Sequence, residues 1–240
     1  MAFVQAIVNL DQLVFVTTKG EEYLAGSKQD SVELINRRSD EIGCAIVFDE
    51  NGKIAALGYE DEVIDTLGLD SLEEIPELIN GKGCSLIPGL IDSHAHPVWA
   101  GDRVNEFDLK LRGATYLEIH QQGGGINYTV QQTKSSEPDV LKKLLLERIE
   151  RIISCGTTVL ECKSGYGLDY ETEFKMLKVI ATAQQEVPIE LVSTFLGAHS
   201  VPQGLTPDEG VHRVLAMIDL LQTHASQLRI EFVDVFCERG

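Results

Sequence analysis

The sequence predicts an α/β fold, with a parallel sheet of βα units over residues 84–240 preceded by a small β-rich domain over residues 1–83. Three observations predict it. Short runs rich in β-branched and aromatic residues, joined by turn signals, fill the first third of the chain. From Cys84 onward such runs alternate with amphipathic helical patterns, which is the signature of a parallel sheet. The residues with chemical character then fall just past the ends of those later strands.

Taken in order, residues 1–18 read as strands: Gln5, Asn9, Asp11 and Gln12 interrupt the apolar pattern, and the basic region and cleavage site of a secretory leader are not seen. Leu13 to Thr17 and Ile42 to Phe48 have strand composition. Asp49-Glu-Asn-Gly52 turns the chain into a strand from Lys53 to Leu57, because Asn-Gly supplies the positive φ of a tight hairpin. Residues 20–40 are polar and read as a loop, Glu60 to Leu67 as a short helix, and Asn80-Gly-Lys-Gly83 as a second turn. The apolar run from Leu86 to Ile91, with Pro88-Gly89 inside it, reads as a buried strand that Pro97 stops.

The βα pattern follows. Asp139 to Ser154 is a helix with Leu141, Leu144, Leu145, Ile149, Ile152 and Ile153 on one face; Ser136 and Asp139 have capping-box spacing, and Gly156 stands where a terminating glycine belongs. Thr157 to Cys162 is the next strand, Tyr170 to Glu186 a helix ending before Pro188, and Ile189 to Phe195 a strand. Thr206-Pro-Asp-Glu209 is a capping box opening a helix that carries Val211, Val214, Leu215, Ile218 and Leu221. Glu231 to Phe236 is the last strand.

Composition narrows the function. A net charge of −18 opposes nucleic acid and anionic membrane surfaces. Any anionic substrate needs a local cation to overcome that field. No run approaches about 18 uninterrupted apolar residues, the length of a membrane span. Cys44, Cys84, Cys155, Cys162 and Cys237 are odd in number and contain no Cys-x-x-Cys pair, so a disulfide framework and a zinc ribbon are both disfavoured and a reducing, cytoplasmic setting is expected.

The most informative motif is Pro88-Gly-Leu-Ile-Asp-Ser-His-Ala-His-Pro97. Side chains two apart on a strand project from the same face, so His94 and His96 can reach one metal ion together. The plainer reading is a polar pair on a solvated loop. Beyond this motif the candidates are Lys163 and Tyr166, then His199, then Glu238, each near the end of a different strand. In a parallel barrel those ends gather on one face, where active sites are found.

These residues resemble the amidohydrolase superfamily, whose Pro-Gly-(Leu/Phe)-(Ile/Val)-Asp-x-His-x-His signature closes the first strand of a metal-bearing (β/α)8 barrel. Further motifs narrow the resemblance to the imidazolonepropionase family: Pro97-Val-Trp-Ala-Gly-Asp-Arg103, Gly113-Ala-Thr-Tyr-Leu-Glu-Ile119, Gly123-Gly-Gly-Ile126, Glu161-Cys-Lys-Ser-Gly-Tyr-Gly167 and Gly197-Ala-His-Ser-Val-Pro202. The resemblance runs from about residue 79 to the end. It implies hydrolysis of 4-imidazolone-5-propanoate to N-formimidoyl-glutamate, in histidine degradation, on one divalent zinc or iron ion.

The resemblance also implies the roles. His94 and His96 are metal ligands; Arg103 holds the carboxylate of the small anionic substrate; Tyr166 contacts the substrate; and His199 hydrogen-bonds near its reacting carbonyl. Read alone, Arg103 is a surface residue pairing with Asp102 or Glu106, and Tyr166 and His199 are structural. Lys163 is read as a hydrogen-bond donor lining the site. Residues 123–129 are read as a substrate-covering loop, because they lack the Lys-Ser/Thr ending of a phosphate loop and no helix pattern begins directly on them. His120, His212 and His224 are assigned no chemistry.

By the same resemblance the chain corresponds to the first half of the barrel, preceded by a small β-domain whose partner strands lie elsewhere. A third histidine ligand, an aspartate and an acid/base glutamate would lie beyond residue 240. A half barrel exposes strand edges and an apolar face. The expectation is therefore an incomplete form, inactive in isolation and a possible homo-oligomer when complete. The alternatives are a non-catalytic half-barrel product or interaction partner, and a related cyclic-amide hydrolase or deaminase.

Overall fold

The protein is described by a computed structural model covering residues 2–15, 23–30, 32–39, 41–115, 118 and 124–238. The chain divides into two compact units, Met1–Pro88 and Gly89–Gly240. The first contains strands β1 (Phe3–Leu10), β2 (Gln12–Phe15), β3 (Glu33–Asn36), β4 (Cys44–Asp49) and β5 (Ile54–Tyr59), helix α1 (Glu60–Leu67), and strands β6 (Glu77–Asn80) and β7 (Ser85–Leu86). One sheet has the order β5-β4-β1-β6 and a second the order β3-β2-β7.

The β4–β5 hairpin forms for a local reason: Asp49 Oδ1 accepts from the N–H groups of Asn51 (2.8 Å) and Lys53 (2.9 Å), and Gly52 takes φ +71°. Helix α1 has the bounds expected from the sequence. Its first turn carries Glu60, Asp61 and Glu62, which suit the positive end of the helix dipole, and Gly68 closes it in the left-handed conformation. Ala6, Ala45, Val47 and Val63 are the buried centre of this unit.

Two expectations need correction here. The segment 20–40 is not all loop, since its described part holds a 3-10 turn (Gly26–Asp30) and β3; β3 forms because Leu13↔Ile35 and Val14↔Leu34 pair it with β2. Its residues 20–22, 31 and 40 lie outside the described residues, as do residues 1 and 16–18 of the strand reading. The run Leu86 to Ile91 is not one strand either. It breaks at Pro88-Gly89, with β7 in the first unit and β8 (Leu90–Ala95) in the second. Proline offers no N–H to a ladder, which is the physical reason.

The second unit continues from β8 through α2 (Val104–Leu111), α3 (Ile126–Ser135), α4 (Pro138–Ser154), β9 (Thr157–Lys163), α5 (Tyr170–Ala183), β10 (Glu190–Ala198), α6 (Pro207–Gln222), α7 (Ala225–Leu228) and β11 (Ile230–Val235). The sheet order is β11-β10-β9-β8, all neighbours parallel. Strands consecutive in sequence are thus adjacent in space, each joined to the next by helices. Leu141, Leu145 and Ile149 of α4 and Met176, Val179 and Ile180 of α5 pack on Leu160 and Cys162 of β9 and Leu191 of β10. Burying a Leu or Ile side chain stabilises the fold by about 1.5–3 kcal/mol.

The capping box Thr206/Glu209 is present at α6. The one expected at Ser136/Asp139 is not. Pro138 occupies the first turn of α4, Glu137 is the capping position without a side-chain bond, and the Ser136 hydroxyl donates back to Gln132 O at 2.7 Å. The expected burial of the strand carrying His94 also fails: β8 is an edge strand with Ile91 68% exposed, and at the other edge Phe232 of β11 is 60% exposed. Helices cover one face of this sheet. The other face is an open groove lined by Ile91, Val159, Glu161, Lys163, Thr194 and Asp234.

Candidate functional site

Because the strands of the second unit are parallel, their C-terminal ends lie together, and the chain leaves three of them bearing imidazole or phenol groups. His94 lies within β8 and His96 one residue past it; Tyr166 follows β9 and His199 follows β10. The four rings form one cluster. His96 meets His94 edge-on at 5.4 Å between centroids, stacks on His199 at 4.8 Å and stands 5.8 Å from Tyr166, while Tyr166 is 5.1 Å from His199.

Burial favours the neutral forms of His96, His199 and Tyr166. Burial, followed by the neighbouring His199 and His94, pushes the His96 pKa down to about 4. Burial likewise lowers that of His199, whose Nδ1 lies 2.9 Å from Gly165 O. A carbonyl only accepts, so Nδ1 carries the proton and Nε2 keeps its lone pair. Burial raises the Tyr166 phenol, although the Arg103 and Arg148 charges work against it.

His96 Nδ1 is buried with no hydrogen-bond partner. An unsatisfied buried nitrogen costs free energy, and a neutral imidazole is the form that ligates a metal. The donor chemistry of His94 and His96 therefore fits a divalent ion. Among the described residues no group of three or more His, Cys, Asp or Glu is spaced to hold one, so an ion here needs donors beyond this pair.

Lys163 ends β9 on the groove side and is nearly buried. Its ammonium contacts Glu161 at 2.6 Å and Asp234 at 2.8 Å. Glu161 in turn accepts the Ala95 N–H at 3.2 Å, so this ionic cluster supports the strand end between the two histidines. Arg103 lies close enough to the ring cluster for its charge to act on the Tyr166 phenol. It is exposed, donates its Nε–H to Glu106 Oε2 at 2.8 Å and brings Nη2 within 2.7 Å of the same oxygen, which is the pairing its plainer reading allowed. Glu238 is exposed beyond β11.

The reading of residues 123–129 needs one correction. Residue 123 lies outside the described residues, but α3 begins directly after Gly125, where no helix was expected. The Gly125 N–H at its start is taken by Glu106 Oε1 at 2.8 Å. His120 also lies outside the described residues; His212 Nδ1 donates to Asp208 O within α6, and His224 precedes α7.

Sequence reasoning missed four residues that build this site. Glu161 and Asp234 are acidic side chains inside strands, and alternation with Lys163 was the available signal for the first. Arg148 of α4 lies 3.7 Å over the Trp99 ring and donates to Pro97 O and Trp99 O, each at 2.8 Å, which fixes the loop leaving His96. In the helical pattern it looks like a solvated residue. Glu173 of α5, the fourth, is fully buried.

No family model matches the chain. It is similar to the "Probable imidazolonepropionase" of Nematostella vectensis, 42% identical over 234 residues that make up 95% of this chain and 53% of that protein. The human protein of the same name is 41% identical over 97% of this chain and 53% of its own length. That of Danio rerio is 40% identical over 100% and 54%. The chain is thus related along nearly all its length to proteins of this name, and it spans about half the length of the curated relatives it matches. Among solved structures, 5-methylcytosine deaminase from Klebsiella pneumoniae shares the fold, with TM-scores of 0.50 liganded with phosphonocytosine and 0.51 liganded with 5-fluorocytosine. Those chains are 16% and 17% identical and match 97% of this chain over 51% of theirs.

Proposed function

We propose that this chain is part of an imidazolonepropionase, a metal-dependent cyclic amidohydrolase that opens 4-imidazolone-5-propanoate to N-formimidoyl-glutamate. The observation that carries the reading is the four-ring cluster at one end of a parallel sheet, holding an orphaned imidazole nitrogen. On this reading the second unit is the first half of a (β/α)8 barrel, since its strands are parallel and ordered as in sequence. The open groove is then the barrel interior. Residues 1–83 are a β-rich domain packing with strands from elsewhere in the protein.

His94 and His96 would hold a zinc or iron ion; both metals accept imidazole, and the chain does not discriminate between them. Such an ion, when bound, supplies a water of lowered pKa and polarises a carbonyl. The remaining steps belong to the chain. His199, with its proton fixed on Nδ1 by Gly165 O, offers Nε2 to an N–H of the substrate ring. Tyr166, kept protonated by burial, donates its phenol proton as a hydrogen bond to a ring oxygen. Arg103 has N–H groups left after pairing with Glu106, and a planar guanidinium suits the propanoate carboxylate. That local cation answers the repulsion of a chain of net charge −18.

The test compares the full-length protein that contains this chain with its His96→Ala variant for bound zinc or iron and for ring opening, followed by the loss of imidazolone ultraviolet absorbance. Equal metal occupancy in both removes the ligand assignment. Metal-dependent hydrolysis or deamination of another ring, with imidazolone-propanoate left intact, removes the substrate assignment.

A further inference from the structure

We propose that Glu173 is a positioning residue: from the first turn of α5 its carboxylate ties down residues 164–168 and thereby sets where Tyr166 and His199 stand. The proposal rests on the reading that those two side chains face substrate. Glu173 is 0% exposed. Its Oε2 accepts the Gly165 N–H at 2.9 Å, and its Oε1 accepts those of Gly167 at 2.7 Å and Leu168 at 2.9 Å. A buried carboxylate is costly unless hydrogen-bonded; burial pushes the Glu173 carboxyl above its usual range, and the Ser164 side chain with three backbone amides of one short loop works against that.

The loop is one that would not hold this shape by itself. Leu168 sits at φ +58°, a left-handed conformation uncommon for residues with a β-carbon, and its N–H is one of the three that Glu173 takes. Gly165 lies at φ +106°. A β-carbon there would come within 2.9 Å of Leu196 O and 3.0 Å of His199 Nδ1, and one at Gly167 within 2.6 Å of the Glu173 N and 2.8 Å of its Oε1. The two glycines flanking Tyr166 are therefore demanded by His199 on one side and Glu173 on the other.

One residue links the pair. Gly165 donates its N–H to Glu173 while its carbonyl accepts the His199 Nδ1 proton. Moving Glu173 moves Gly165, and with it the group that fixes the His199 tautomer. Tyr166, between the two glycines and 5.1 Å from His199, is carried along.

The experiment uses the 240-residue chain and its Glu173→Gln variant, whose amide nitrogen cannot accept an N–H bond. Backbone hydrogen exchange at Gly165, Gly167 and Leu168 should accelerate by about tenfold or more beyond any global change. The 15N shifts of the His199 ring should move from the Nδ1–H tautomer towards a mixture. Imidazole-4-propanoate, as the probe, should shift the Tyr166 and His199 ring signals of the natural chain and bind the variant about tenfold more weakly. A folded variant with natural protection at the three amides and an unchanged His199 tautomer overturns the proposal. If Glu173→Gln does not fold, Glu173→Asp, which keeps the charge but withdraws it by one methylene, is read in the same way. If the probe leaves the natural Tyr166 and His199 signals unmoved, the functional reading fails, while the exchange and tautomer data still decide the role of Glu173.

Discussion

Replacing Lys163 by methionine isolates the ionic cluster beneath the candidate site. The Lys163 side chain is 5% exposed, Glu161 12% and Asp234 38%. Methionine keeps the volume and removes the charge, leaving Glu161 with the Ala95 N–H on Oε2 and nothing cationic on Oε1. Stripping one partner from a buried pair costs about 3–5 kcal/mol, whereas an exposed pair is worth under about 1 kcal/mol. Asp234 can rehydrate, so nearly all the loss comes from Glu161, and the expected destabilisation is about 3 kcal/mol. Urea unfolding at neutral pH measures it.

Two further readouts make the reasoning refutable. Lys163→Met combined with Glu161→Gln should recover at least half the loss, because no stranded carboxylate remains. The hydrogen bond from Lys163 holds the Asp234 carboxyl below its usual range, so their interaction stabilises the fold above about pH 3.8 and is lost as pH falls through the depressed value. The variant should lack that part of the acid transition. A loss under about 1 kcal/mol, or a double variant no better than the single one, would show that the contacts do not act as a buried ionic unit.

Arg148→Met should cost about 2–3 kcal/mol in chemical denaturation through two carbonyl hydrogen bonds and the Trp99 contact, and a loss below about 0.5 kcal/mol would contradict the clamp on the His96 loop. Gly165→Ala forces a β-carbon against Leu196 O and His199 at positive φ, so a loss of about 2 kcal/mol is expected together with a displaced His199 ring signal. In metal-free protein, the unfolded chain protonates His96 near its ordinary value while the folded one waits until about pH 4, so stability should fall as pH drops from about 6.5 to 4. His96→Asn should flatten that decline, as followed by thermal melts, and an unchanged slope would refute it. Arg103→Ala should weaken binding of imidazole-4-propanoate by about 2 kcal/mol in calorimetry while leaving stability within about 0.5 kcal/mol; unaltered affinity would remove its assigned role.

The sequence by itself determined the elements that depend on local chemistry and periodicity. Helix α1, the hairpin at Asp49–Gly52, the capping box at Thr206 and the alternation of α4, β9, α5, β10, α6 and β11 follow from neighbours a few residues apart, whereas α2, α3 and α7 were not expected. It also singled out His94 and His96 as a pair, because strand alternation is a local property, and the two rings lie 5.4 Å apart; the paired motifs carried the family likeness that the relatives then bore out. Tertiary structure decided what depends on partners distant in the chain. Strand β3 exists because β2 pairs with it, and Pro88 splits an apolar run because the two sides join different sheets. Arg148 and Glu173, polar residues in helical patterns, look solvated until Trp99 stands 49 residues away beneath one and the packed core buries the other, whose hydrogen-bond partners themselves lie nearby in the chain. Long-range packing alone sets which charges leave water, and a desolvated charge must find its hydrogen bonds wherever the fold has brought them.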